Sequence, residues 1–361
     1  MTNSMILNAQ WATRPDDQRF TTLEQLHAAT LRRKTSSHTQ QVRIDEMRAM
    51  ASQDNDISLG YAGINGQLEV AKPTHWSFNQ IAAVTGAPTS WMRKVPAELA
   101  AINLQYGLER LASREEGLLL IDDERQELRA VTSTTYGRIW DHELVEAVMD
   151  LNEAHGGRWK IPAASYAATN PKRASTLYAS DRDVWLFLVD DQHPIEVNGE
   201  VLFRAFAASN SEVGGGTMWL TTLLYRRICD NRIIWGVEDQ RELSIKHTRN
   251  APERFRDEVG PALKAYSEAS DRGVIEMVKK AQEIRISKDS DKDAVQTWLR
   301  ARGFTASVSK AIETAAVVEE GEAATLWDIV QGTTAHARSL QYQDERVALE
   351  LKAAKLLGNL N

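Results

Sequence analysis

The chain has 361 residues, of which 42% are hydrophobic and 26% are charged, which predicts one large domain with a helical appendage or two domains. Its formal net charge of −7 excludes a surface that is basic throughout, although a local basic groove remains compatible with it. The lack of a long apolar run, of a secretory signal and of a second cysteine beside Cys229 predicts a cytoplasmic protein with no membrane partner, no internal disulfide and no cysteine-rich zinc site.

The first part of the chain is interpreted as an arm followed by a hairpin and helices. Residues 1–55 are predicted to form an N-terminal arm that is partly mobile, because the apolar spacing over residues 21–51 is weak. Segments 57–61 and 67–70 flank a glycine-containing turn and predict a β-hairpin. Two short helices and one longer helix are expected between Ser77 and Leu111.

Residues 56–250 are predicted to form the core domain, in which extended segments mostly follow one another. The expected elements are a hairpin at 118–121 and 128–132, a helix at 140–154, extended segments at 158–167, 175–179, 184–189 and 201–208, and a helix from about 217 to 230. This order predicts an α+β fold with an antiparallel sheet and helices packed on one side. Residues 251–361 show amphipathic helical spacing and are predicted to be a helical C-terminal region.

Three consecutive glycines, Gly214, Gly215 and Gly216, are the most informative local feature. Each costs about 0.5–1 kcal/mol relative to alanine in regular structure, so a run of three is typical of backbone that needs positive φ or close approach to another backbone, a phosphate or a ligand. The run therefore favours a binding function over a purely structural one.

Basic, aromatic and hydroxyl side chains occur in three sets, at 129–140, 225–235 and 246–249. Arginine, hydroxyl and aromatic side chains near a turn suit phosphate contact and base stacking. The set at 129–140 precedes the glycines. The expected helix after the glycines and the turn that follows would carry the set at 225–235, and the set at 246–249 precedes the helical region. The residues predicted to contact nucleic acid are Arg129, Tyr136, Arg138, Trp140, Asn210, Gly214, Gly215, Gly216, Trp219, Tyr225, Arg226, Arg227, Lys246, His247 and Arg249.

Motifs of several enzyme classes are missing from the sequence. It has no Walker-type phosphate loop, no dinucleotide-binding glycine pattern, no closely spaced zinc-binding histidines and no Gly-x-Ser-x-Gly elbow. His142 with Glu143 and Glu146 is the nearest approach to a metal cluster, and acidic residues on an exposed helix face are its commoner explanation.

Segments 129–138, 209–216 and 224–234 resemble the domain-of-unknown-function 932 family, whose members are described as phage- or plasmid-like proteins. The resemblance rests on an arginine-serine-tyrosine-arginine strand, an Asn-Ser-Glu-x-Gly turn, a Tyr-Arg-x-x-Cys segment and a Lys-His-Thr step. Arg232 departs from it, because a glycine is usual there. The likeness covers about residues 70–350.

The resemblance implies a mobile-element setting and no reaction that can be carried over. Together with the basic and aromatic sets, the resemblance favours a non-enzymatic protein that binds or anneals single-stranded nucleic acid during recombination. DNA is favoured over RNA as the ligand. The protein is expected to be a homo-oligomer and to use no cofactor or metal. One alternative is a protein-interaction or anti-defence factor that binds host proteins. Another is a metal-dependent enzyme acting on nucleic acid, in which Glu143 and Glu146 would meet Glu212 or Asp230.

Overall fold

A computed structural model describes residues 15–52, 54–111, 116–162, 175–228, 231–235, 243–288, 291–340, 349, 352–353 and 355–357, with the backbone alone for 225–228, 231–235 and 338. Its strands are β1 (Arg19–Phe20), β2 (Ser37–Arg43), β3 (Arg48–Ala51), β4 (Ile57–Ala62), β5 (Leu68–Pro73), β6 (Glu116–Asp122), β7 (Glu127–Thr132), β8 (Trp159–Lys160), β9 (Leu177–Ala179), β10 (Val184–Asp190), β11 (Ile195–Val197), β12 (Glu200–Asn210), β13 (Met218–Ile228), β14 (Asn231–Trp235) and β15 (Leu243–Ile245). The α-helices are α1 (Leu23–Thr35), α2 (His75–Val84), α3 (Thr89–Met92), α4 (Ala97–Glu109), α5 (Asp141–Ala154), α6 (Ala251–Ser267), α7 (Arg272–Glu283), α8 (Lys292–Arg300), α9 (Ala306–Glu320) and α10 (Leu326–Ser339).

The strands form two sheets, which confirms the predicted α+β class. The large sheet has the order β1-β9-β10-β12-β13-β14, with β8, β11 and β15 paired at its sides, and all its pairs are antiparallel. The small sheet has the order β2-β6-β7-β5-β4-β3, and only its β5–β7 pair is parallel. The sequence predicted one sheet, whereas the structure has two.

Each sheet has its own hydrophobic core. In the large sheet, Phe206 of β12 packs in one cluster with Val148 of α5 and Val259 of α6. In the small sheet, Leu119 and Leu59 pack in one cluster with residues of α2 and α4. Burial of these apolar side chains is the main favourable contribution to folding. The two cores place α5 and α6 on the large sheet, and α2 and α4 on the small one.

The helices after residue 270 confirm the predicted C-terminal helical region. Helices α7 to α10 share a core that also takes in Leu202 and Leu224 of the large sheet. Their ends follow local sequence signals: Gly321 ends α9 in the left-handed conformation with φ 84°, and Thr325 begins α10 with a side-chain cap. Among the described residues, no helix has the length and apolar character required to cross a membrane.

Residues 23–51, which the sequence analysis assigned to the N-terminal arm, contain structured elements. Helix α1 begins after the capping residue Thr22, β2 pairs with β6, and β3 pairs with β4. The small sheet thus begins upstream of residue 56, the predicted start of the core domain.

The prediction of a helix over residues 217–230 is wrong, because this segment is strand β13. It pairs with β12 on one side, from Ser209 opposite Trp219 to Leu202 opposite Arg226, and with β14 and β15 on the other. Its aromatic and β-branched residues, such as Trp219, Thr221 and Thr222, suit a strand. The two ladders supply backbone hydrogen bonds over most of its length.

Candidate functional site

The Asn-Ser-Glu segment lies where the large sheet meets the small one, and we call its buried contacts the junction. Glu212, just beyond the end of β12, is fully buried and forms an ion pair with Arg129 of β7 in the small sheet. The same guanidinium donates to Ser37 Oγ at 3.1 Å. A buried ion pair is tolerated when further hydrogen bonds satisfy its atoms, and this one is satisfied from both sheets.

The other Glu212 oxygen connects the junction to the start of α5. Its Oε2 accepts from the backbone N–H of Asp141 at 2.9 Å, which satisfies one of the free donors at a helix N-terminus. Asn210 donates from Nδ2 to Asp141 Oδ1 at 2.7 Å and to the carbonyl of Ile139 at 2.9 Å. Asn210 and Glu212 therefore fix the position of α5 against the large sheet.

Burial changes the ionisation of this cluster. Burial, together with the neighbouring Glu212 carboxylate, raises the pKa of Asp141 well above its ordinary value. Burial also lowers the pKa of the Arg138 guanidinium. The junction thus holds two carboxyl groups and the buried cations Arg129 and Arg138. Because burial shifts the pKa of Asp141 and of Arg138, a change in packing would change which of these groups carry a charge.

Arg138 lies between two aromatic rings rather than on the surface. Its Cζ is 5.2 Å from the ring centroid of Tyr136 and 5.6 Å from that of Trp140. Its Nη1 donates to the carbonyl of Glu212, while its Nε and Nη2 have no hydrogen-bond partner. Lys34 Nζ also lies over the Trp140 ring, 4.2 Å from its centroid, so that ring already has two cationic neighbours.

Tyr136 joins the junction to the segment that follows β15. Its ring stacks on His247 with 4.8 Å between centroids, and its hydroxyl donates to the carbonyl of Ser211 at 2.8 Å. Burial lowers the pKa of His247 to about 4. A Cβ atom at Gly137 would overlap the carbonyl oxygen of Thr248, so the two segments touch through their backbones.

The triple glycine forms a loop held by neighbouring side chains. Gly214 has φ 83°, which is one of the two explanations that the sequence analysis gave for the run. Ser211 Oγ accepts from the N–H of Gly215 at 2.6 Å, and Arg182 Nη2 donates to the carbonyl of Gly215 at 3.1 Å. Arg182 also lies over the ring of Trp76, with its Cζ 4.7 Å from the centroid.

The predicted contact residues with described side chains divide into buried, intermediate and exposed groups. Arg129, Arg138, Asn210 and Trp219 are at most 8% exposed, and Trp219 belongs to an aromatic core of the large sheet. Lys246, Arg249, Gly214 and Gly216 are exposed, whereas Tyr136, Trp140, Gly215 and His247 are intermediate. Tyr225, Arg226 and Arg227 lie on β13, and their side chains are outside the described part of the chain.

The exposed predicted residues and their neighbours form a basic surface. We call it the junction rim and define it as residues 133–135, 182, 214–216 and 246–249, of which Gly215 and His247 are half-buried. Contacts from Tyr136 to His247 and from Arg182 to Gly215 connect its segments. Arg182, Lys246 and Arg249 are exposed, as are the hydroxyl-bearing residues 133–135. Asp181 and Asp183 flank Arg182 but are half-buried, and their carboxylates accept hydrogen bonds from the backbone N–H of Trp76 and from Ser180 Oγ.

Sequence reasoning missed Arg182 and Trp76, and it considered Glu212 only as a metal ligand. The position of Glu212 inside the Asn-Ser-Glu turn was the available signal for its role. Within the described ranges, no three His, Cys, Asp or Glu side chains are grouped so that they could hold a metal ion. Glu143 accepts from the backbone N–H of Trp140 at 2.9 Å, as a helix cap does.

Comparison with known proteins gives one match. A family model described as a domain of unknown function (DUF932) matches residues 132–349, more than half of the chain. This range includes the Asn-Ser-Glu turn, the triple glycine and the Lys-His-Thr step. Neither the curated proteins nor the solved structures contain a match.

Proposed function

The chain belongs to the DUF932 family, for which no activity is described, and we propose from its geometry that it binds the sugar–phosphate backbone of single-stranded DNA at the junction rim. The observation that carries the proposal is the set of exposed cations Arg182, Lys246 and Arg249, with the flanking Asp181 and Asp183 half-buried. Phosphate contacts supply most of the affinity in sequence-independent binding, and a local basic surface can provide them on an acidic protein.

The surroundings of the three cations support phosphate contact. Exposed Gly214 and Gly216 bring backbone close to the surface without a side chain, and exposed Ser133 and Thr135 offer hydroxyl donors. The buried junction beneath keeps the rim rigid, because Glu212 is bonded to the small sheet and Asn210 to the start of α5. In this arrangement Arg129 and Arg138 stabilise the surface and do not touch the ligand.

Base stacking has less support among the aromatic residues that the sequence singled out. Tyr136 is covered by His247 and Arg138, and Trp140 by Arg138 and Lys34. We therefore propose a contact dominated by phosphates, with weak dependence on base identity and strong dependence on salt.

A binding assay with a fluorescent oligothymidylate tests the proposal. The double variant Lys246→Gln and Arg249→Gln is expected to bind about tenfold or more weakly at low salt than the wild type, since two phosphate contacts are lost. The matched control is Arg272→Gln, which removes an 83% exposed arginine far along the chain on α7. Undetectable binding by the wild type at low salt, or equal binding by the double variant, would contradict it.

A second function, binding of a protein partner, is favoured by α4. Leu99, Ile102 and Tyr106 lie on one face of this helix and are 41%, 64% and 61% exposed. Contiguous exposed apolar side chains are typical of interaction surfaces. A partner from host lysate that stays bound after nuclease treatment, is lost with Ile102→Asp and is retained with Val318→Asp on α9 would support this function over the first.

A further inference from the structure

A cavity of about 470 Å³ opens at the edge of the small sheet, away from the junction residues. It lies between the start of α2, helix α3 and the start of α4. Its size falls in the range of small-molecule sites in proteins. Its floor is apolar, and its mouth is lined by charged side chains.

The floor is apolar and reaches the core of the small sheet. Phe78, Met92 and Ala100 line it and are at most 7% exposed, and all three belong to that core. The partly buried Ile57 and Val95 extend the apolar wall. Because Phe78, Met92 and Ala100 are already almost fully buried, a flat apolar group entering here would gain mainly from the removal of its own surface from water.

The charges at the mouth are separated. At one end Lys72 Nζ is paired with Asp56 Oδ2 at 3.2 Å, and Glu127 is the register neighbour of Lys72 across the β5–β7 pair. At the other end Arg93 lies over the Phe78 ring, with its Cζ 4.8 Å from the centroid.

Arg93 has neutral partners. Its Nη2 donates to the carbonyl of His75 and to Asn79 Oδ1, both at 2.9 Å, and no ion pair to a carboxylate involves it within the described chain. The Asp181 carboxylate acts on this guanidinium electrostatically but forms no ion pair with it, so the positive charge remains open to a ligand at the edge of the apolar floor.

We propose that this cavity binds a small amphipathic anion, with an apolar ring against Phe78, Met92 and Ala100 and its anionic group at Arg93. A hydrogen bond between a guanidinium and an anion is about twice as strong as one between neutral groups, and the ring excludes water from it. Arg93 can hold either a carboxylate or a phosphate. Competition by benzoate and by phenyl phosphate shows which of these two anions the cavity binds more tightly.

The test uses anilinonaphthalene sulfonate as the fluorescent probe, with the full-length protein. Arg93→Gln is expected to weaken binding of this anion about tenfold, as expected for the loss of a hydrogen bond to a charged group. Ala100→Leu places a larger side chain in the cavity and is expected to abolish binding. Phenylnaphthylamine, which has the same rings without the sulfonate, is expected to lose binding with Ala100→Leu and to keep it with Arg93→Gln.

Two controls make the outcome specific to this cavity. Ala147→Leu changes a wall of a separate apolar groove of about 560 Å³ between α5 and α6, and it is expected to leave probe binding unchanged. Lys94→Gln removes an exposed neighbouring charge that does not line the cavity, with the same expectation. Loss of binding through Ala147→Leu, or equal binding of the sulfonate by wild type and Arg93→Gln, would overturn the proposal.

Discussion

Arg129 of β7 and Glu212 at the end of β12 form a buried ion pair that connects the small sheet to the large one. The two residues are 83 positions apart in the sequence, and each is at most 5% exposed. Because the pair joins the two sheets, it holds the Asn-Ser-Glu segment at the place where they meet. It positions the loop of three glycines and the start of α5 together.

Loss of one partner of this pair should be costly. Arg129→Met leaves the Glu212 carboxylate buried without its cation, and we expect the free energy of unfolding to fall by about 3–5 kcal/mol. Urea denaturation monitored by tryptophan fluorescence measures the change. The control Arg32→Met breaks an exposed pair with Glu124 and should cost less than about 1 kcal/mol; equal losses for the two variants would contradict the structural role of the junction.

Gly137 should not tolerate a side chain. A Cβ atom there would overlap the carbonyl oxygen of Thr248, and backbone cannot move aside as a flexible side chain can. We expect Gly137→Ala to lower the free energy of unfolding by about 2 kcal/mol or more, because overpacking forces a backbone shift. Gly216→Ala, where a Cβ meets no atom within 4 Å, serves as the control and should change stability by less than about 0.5 kcal/mol.

Stability should depend on pH through His247. Its pKa is about 4 in the folded protein, below the ordinary value of 6.5, so the unfolded chain binds the proton more tightly. The contribution of this residue is therefore complete above pH 6.5 and is lost as the pH falls towards 4. At pH 5 the loss relative to pH 7 is about 2 kcal/mol.

The variant His247→Gln isolates this contribution. Its free energy of unfolding should fall less than that of the wild type between pH 7 and pH 5, by about the same 2 kcal/mol. Other titrating groups, including Asp141, act in both proteins and cancel in the difference. Parallel curves for the two proteins would show that His247 is not buried in the neutral form.

Local sequence signals predicted much of the fold. The Asn198-Gly199 turn between β11 and β12 has φ values of 47° and 87°, as a two-residue hairpin turn requires. Strand β13 was missed because its Leu and Arg residues also suit a helix, and its strand ladders with β12 and β15 are long-range contacts. The helix or strand propensity of the segment alone does not show which strands it pairs with.

The candidate site was predicted in part. The sequence identified the segments that meet at the junction, because their glycines, arginines and aromatic residues are unusual together. It did not show which arginines are buried, since the environment of Arg129 depends on Glu212 in the other sheet. Arg182 was missed because nothing near it in the sequence indicates its contact with Gly215.

The dependence of oligothymidylate binding on salt tests the central proposal most directly. Three phosphate contacts, from Arg182, Lys246 and Arg249, predict a slope of about −2 for the logarithm of the association constant against the logarithm of salt concentration. The double variant Lys246→Gln and Arg249→Gln should reduce the slope to about −0.7. A wild-type slope near zero, or the same slope in the variant, would contradict binding at the junction rim.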